Sequence, residues 1–102
     1  MNQIGGLNNL KTCLDTDKYI LLFFTASWCG PCKKIYPDLE ELYKKLDKDL
    51  IEFYKIQIDD DDNEEICEIF KVESVPSFYL MKEKKCINEL KGADLNGIKK
   101  ML

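Results

Sequence analysis

The sequence contains no histidine. That absence removes the side chain most used for acid–base work near neutral pH, for nucleophile–histidine triads and for most tetrahedral zinc sites. Long apolar runs are missing too. The longest, Tyr19 to Phe24, is far below the roughly 18 residues that cross a bilayer. The N-terminus shows no basic region followed by an apolar stretch and a small-residue cleavage site. No Gly-rich dinucleotide fingerprint occurs, so no bound nucleotide is expected. Nor is there an excess of basic charge: 15 lysines and arginines against 19 acids give a net charge of −4 and a pI near 4.8. Nucleic acid and anionic membrane surfaces both favour clustered cations, so neither is expected as a partner. The chemistry left is that of thiols and carboxylates, in a chain that reads as soluble and untargeted.

At 102 residues, 45% of them hydrophobic, the chain can bury one core and not two, so residues 1–102 are read as a single domain. Its five cysteines are an odd number, and their spacing is unlike a secreted disulfide framework. A reducing compartment, the cytoplasm, is the expected location, and a monomer the expected state.

Apolar periodicity supplies the element order. Asn2 to Ile4 reads as a short edge strand. Leu7, Leu10 and Leu14 predict a first helix closing near Asp15 to Asp17. Tyr19 to Thr25 is continuous and apolar, as expected of a strand buried on both faces at the centre of a sheet. Ile35, Leu39, Leu42, Tyr43 and Leu46 mark a second helix, with Pro37 inside it predicting a kink. Ile51 to Ile58 is a strand in which Tyr54 and Lys55 blur the alternation. Asp62 and Glu65 have capping-box spacing ahead of Ile66, Ile69 and Phe70. Ser77 to Met81 and Cys86 to Leu90 form a hairpin around Glu83 to Lys85, and Asp94 to Leu102 is a last helix presenting Leu95, Ile98 and Leu102. The run Asp59 to Asp62 invites a calcium loop, but Glu64 stands where that loop needs Gly and Phe70 where it needs its final Glu. The order βαβαβ followed by αββα implies an α/β fold, a mixed sheet with helices on both faces.

The chemistry concentrates in Trp28-Cys29-Gly30-Pro31-Cys32-Lys33, at the junction of the buried strand and the second helix. Two cysteines separated by two residues can bring their sulfurs to bonding distance within one helical turn. Cys29 falls at the helix N-terminus, where free backbone N–H groups and the macrodipole favour thiolate over thiol. That makes it the attacking sulfur, and Cys32, deeper in the first turn, the resolving one. Gly30 lets the backbone turn beneath an incoming substrate; Pro31 occupies the first turn, where its missing N–H is harmless. The rival reading is half of a zinc site, but with no histidine and no second CxxC the other ligands would have to come from Cys13, Cys67 and Cys86. Those three are better read as small, partly buried hydrophobes. No metal and no bound cofactor are expected, only a reversible Cys29–Cys32 disulfide.

Over nearly its whole length the sequence resembles the thioredoxin family. The WCGPCK motif, Val75-Pro76 followed by Ser77-Phe78, Lys91-Gly92-Ala93 and Pro37 carry the likeness. The resemblance implies the thioredoxin fold, reduction of protein disulfides, Cys29 as nucleophile and Cys32 as resolving thiol. It also implies a surface of Trp28, Gly30, Pro31, Val75, Pro76 (in cis) and Gly92, with NADPH-dependent thioredoxin reductase as electron source and disulfide-containing proteins as clients. Two departures stand out. The family usually carries an aspartate six residues ahead of the first cysteine, to help deprotonate the resolving thiol; here that position is Phe23. Solvent, Lys55 or an acid from Asp59 to Asp61 must substitute, or Cys32 reacts more slowly. The second departure is a two-residue excess within Ile58 to Glu65. Against the reductase stands a binding module that uses the same fold with slow or vestigial redox activity; retention of both cysteines argues against it. Oxidase and isomerase relatives usually carry His between the cysteines, where this chain has Pro31.

Overall fold

The computed structural model describes residues Met1–Leu102. The elements are β1 (Asn2–Ile4), α1 (Leu7–Leu14), β2 (Tyr19–Thr25), α2 (Gly30–Lys45), β3 (Ile51–Gln57), α3 (Glu64–Phe70), β4 (Ser77–Lys82), β5 (Lys85–Lys91) and α4 (Leu95–Met101). They build one five-stranded sheet in the order β1-β3-β2-β4-β5. β1, β3 and β2 run parallel, while β4 is antiparallel to β2 and β5 to β4.

The continuous apolar run of β2 follows from its central place. Successive side chains of a strand point to opposite faces, and here each face has a core. Leu21 and Phe23 join Phe53, Phe78 and Leu80 under Ile35 and Leu39 of α2 and Ile98 of α4. Ile20, Leu22 and Phe24 join Ile4, Ile56, Tyr79 and Met81 under Leu10 of α1 and Ile66 of α3. Each such fully buried side chain contributes about 1.5–3 kcal/mol relative to exposure. The same two-sidedness explains the blurred period of β3: Phe53 faces one core, Tyr54 and Ile56 the other.

Several local expectations are corrected. Asp62 does not cap α3: Asp60 accepts the Asp62 N–H at 3.0 Å and opens a 3-10 turn over Asp61–Asn63, from which α3 starts at Glu64. The reason is Asn63, which is fully buried. Its Nδ2 donates to the Gln57 carbonyl at 2.9 Å and its Oδ1 accepts the Gly6 N–H at 2.8 Å, so the residue turns inward instead of capping. The hairpin turns on Glu83 and Lys84 alone, both at positive φ (51° and 67°), which lengthens β4 and β5 by one residue on either side of the turn. Leu102, expected on the packed face of the last helix, is exposed, and Met101 packs in its place. No helix is long and apolar enough to cross a membrane.

Candidate active site

β2 ends at Thr25, and Ala26 to Trp28 carry the chain to the start of α2. Cys29 is the N-cap residue, in extended conformation (φ −85°, ψ 106°), and Pro31 lies in the first turn as its fixed φ suits. The Cys29 N–H donates to the Ala26 carbonyl and the Lys33 N–H to the Cys29 carbonyl, each at 3.2 Å. The sulfur does what a capping oxygen does elsewhere: Cys29 Sγ accepts the Cys32 backbone N–H at 3.2 Å. Cys29 and Cys32 are joined as a disulfide, with Cα atoms 5.3 Å apart. When that bond is reduced, the charge of a Cys29 thiolate faces a backbone donor and the positive end of a helix of 16 residues. Cys29 is 4% exposed and Cys32 1%, whereas the neighbouring Trp28 is 69% exposed. A Cβ built on Gly30 would meet nothing within 4 Å. The glycine therefore relieves no internal clash and leaves open space above the first turn.

The distant segments named from the sequence arrive beside this turn. The Val75–Pro76 bond is cis. Pro76 is buried, and half-buried Val75 packs against the core cluster that contains Cys29 and Cys32. Gly92, at φ +98°, donates its N–H to the Pro76 carbonyl at 2.9 Å. An L side chain strains at that φ, which accounts for the glycine. The following residue, Ala93, lines a hollow with Gly30 and Pro31.

Cys32 borders a separate hollow of about 270 Å³, shared with Ser27, Tyr36, Lys55 and Gln57 among others. Phe23 is buried beneath this region, stacked on Phe78 (5.2 Å between centroids, 10° between planes) and on Tyr36 (6.4 Å, 30°). Its register partner across the sheet is Lys55, whose Nζ lies 5.1 Å from the Tyr36 ring centroid and forms no ion pair. The Tyr36 phenol is held above its ordinary pKa chiefly by a hydrogen bond with Glu40, and the Glu40 carboxyl correspondingly below its own. Of the candidate acids, exposed Asp59 accepts the Ser27 N–H at 3.2 Å and the Ser27 hydroxyl as well, and the hydroxyl bond holds its carboxyl below the usual range. Asp60 caps the 3-10 turn and Asp61 is exposed within it. Lys55 alone of the groups considered from the sequence reaches the Cys32 hollow. Tyr36 and the Ser27–Asp59 clasp were missed. Tyr36 stands one helical turn beyond Cys32, and that spacing could have flagged it.

The remaining thiols lie elsewhere. Cys13 on α1 is half-buried, 3.9 Å from Asn9 Nδ2 and beside Tyr54, whose phenol is pushed up to about 12, first by burial and then by Cys13. Cys67 on α3 is half-buried. Cys86, expected to be partly buried, is exposed because β5 is an outer strand. No group of three or more Cys, Asp and Glu side chains is placed to hold a metal ion.

Comparison with known proteins agrees with this geometry. The family model for Thioredoxin matches residues 7–102. Thioredoxin from Geodia cydonium is 37% identical over 105 aligned positions that cover 94% of this chain and 95% of that one. An H-type thioredoxin from Fagopyrum esculentum is 42% identical over 79 residues, spanning 78% of this chain and 65% of the relative's length. Among solved structures, thioredoxin from Fasciola hepatica superposes with a TM-score of 0.90 at 28% identity, covering 99% of this chain and 95% of its own. A match over almost the whole length, found again on a shared architecture and ending in a bonded CxxC pair, has one consequence: this chain belongs to the thioredoxin family and is a dithiol–disulfide oxidoreductase of the protein-disulfide reductase kind.

Proposed function

We propose that this protein reduces client disulfides with Cys29 as the attacking sulfur and Cys32 as the resolving one. The Cys29 thiolate attacks one sulfur of the client disulfide. A mixed disulfide forms and a client thiolate leaves. Cys32, deprotonated, then attacks Cys29 Sγ, so that the Cys29–Cys32 disulfide forms and the client departs with its second thiol. Two electrons pass to the client, and a thioredoxin reductase restores them from NADPH. The observation that carries the assignment is the hydrogen bond from the Cys32 N–H to Cys29 Sγ, which favours negative charge on that sulfur rather than on its partner.

Trp28, Gly30, Pro31, Val75, Pro76 and Gly92 form the surface on which the client lies, the Val75 backbone pairing with it as an added strand. The mutual arrangement of these segments through Val75 packing and the Gly92–Pro76 hydrogen bond supports that reading. Lys55 takes the place of the missing acid by a different route. Its unpaired ammonium, bordering the Cys32 hollow, stabilises the Cys32 thiolate electrostatically instead of accepting its proton, which leaves through the hollow to solvent. The protein works as a cytoplasmic monomer in which residues 1–102 form one domain, with no resident cofactor and no nucleic-acid or membrane partner. Turnover of a model protein disulfide with NADPH and a thioredoxin reductase tests the proposal. Steady NADPH consumption that needs the wild-type protein is expected, and reduction by dithiothreitol without any reductase-coupled turnover would contradict the electron source.

A further inference from the structure

On a chain of net charge −4, the ground beside the dithiol is cationic. Gly30 and Pro31 share a hollow of about 620 Å³ with Lys33, Lys34 and Ala93. Its only charged lining residues are the two lysines. Both are exposed, and neither is within ion-pair distance of an acid. The nearest counter-charge by shared lining is Asp38, which borders with Lys34 and Ala93 a smaller hollow of about 180 Å³. Beyond the dithiol, Ser27 holds Asp59, the first of four consecutive aspartates, while the hollow that Ser27 shares with Cys32 is lined by Lys33 and Lys55 and by no acid. The ground along the first turn of α2 is thus of uncompensated positive polarity, and the acid nearest it on the Ser27 side is Asp59.

We infer that this polarity selects clients: the Lys33–Lys34 hollow receives carboxylate side chains that flank the disulfide being reduced, so acidic disulfide segments are the preferred substrates. The inference rests on the dithiol reading above and adds the substrate class to it. Uncompensated charges at the edge of a contact act mainly on the rate of productive encounter, and salt screens them. Lys34 is the better probe, since Lys33 also borders the Cys32 hollow.

The experiment uses the reduced protein and two cyclic disulfide peptides that differ only in flanking Glu-Glu or Lys-Lys pairs. Second-order reduction rates are followed by stopped-flow Trp28 fluorescence. At about 20 mM salt the acidic peptide is expected to react roughly 10-fold faster than the basic one, and at about 500 mM salt the two should agree within about 2-fold. Lys34→Glu, and more strongly the Lys33→Glu/Lys34→Glu pair, should bring the low-salt ratio to one or below. Lys84→Glu changes net charge equally in the distant β4–β5 turn and should leave the ratio alone. A wild-type ratio near one overturns the inference, as does an equal slowing of both peptides by Lys34→Glu, or a shift in ratio by Lys84→Glu as large as by Lys34→Glu. Failure of the wild-type protein to reduce either peptide would instead overturn the dithiol reading itself.

Discussion

Cys29 and Cys86 are the same side chain in two regions of one fold. Cys86 sits on the outer strand β5, exposed, its thiol donating to the Asn88 carbonyl at 3.3 Å and raised above its ordinary pKa by partial desolvation against the strand. Cys29 is 4% exposed, yet it caps a helix and its sulfur receives a backbone N–H. By exposure alone the edge cysteine would be the reactive one. What sets the two thiols apart is therefore not exposure but surroundings: the Cys29 sulfur has a backbone donor and a helix end, whereas the Cys86 thiol only donates to a carbonyl.

The widest gap between the two regions opens on removing each thiol. Cys29→Ser should leave no measurable disulfide-reductase turnover in the reductase-coupled assay; activity above a tenth of wild type would put the nucleophile elsewhere. Cys32→Ser should keep the attack and lose the release, so a stoichiometric mixed disulfide with the client accumulates and is seen by mass spectrometry. If no adduct forms, the roles of the two sulfurs are misassigned.

Phe23→Asp sharpens the comparison within the dithiol itself. An acid at this position lies opposite Lys55 in register and near Cys32, so release of the mixed disulfide at pH 7 should quicken several-fold in single-turnover measurements. The stacked ring on Phe78 and Tyr36 is lost at the same time, which should lower unfolding stability by about 3–5 kcal/mol in denaturant titration. Unchanged or slower release would show that the ammonium alone suffices. Cys86→Ser is expected to have the smallest effect: turnover unaltered and stability within about 0.5 kcal/mol. A fall in turnover would make the edge thiol part of the mechanism.

The sequence carried the chemistry further than the scaffold around it. CxxC spacing at a strand–helix junction was readable because both sulfurs and their donors lie within a few residues, and the helix end follows from local rules. The apolar run Tyr19 to Phe24 of β2 likewise announced a strand with a core on each face. Asn63 could not be read, since a buried amide needs partners, and one of them lies 57 residues away at Gly6. Strand order was legible only in part: β1 was read as an edge and β2 as the centre, and both stand there. The charged residues Lys85, Glu89 and Lys91 are what an outer strand carries, but they were not weighed, and so Cys86 was expected to be partly buried. The substitute at Phe23 fell between these cases: the missing acid was visible, but Tyr36 and Lys55 meeting at the Cys32 hollow required the packing of α2 on β3.

The central claim is that placement at the helix end, not exposure, activates one thiol of five. It is tested most directly by iodoacetamide alkylation of the fully reduced native protein across pH 5–9, with each cysteine followed by peptide mass spectrometry. A raised thiol pKa means less thiolate at any given pH, so Cys86 and Cys67 should gain reactivity only toward the alkaline end. At pH 7 Cys29 should react at least roughly 10-fold faster than either, because the helix end and a backbone donor favour its thiolate while desolvation disfavours theirs. Alkylation of Cys86 at pH 7 as fast as that of Cys29 would contradict the account.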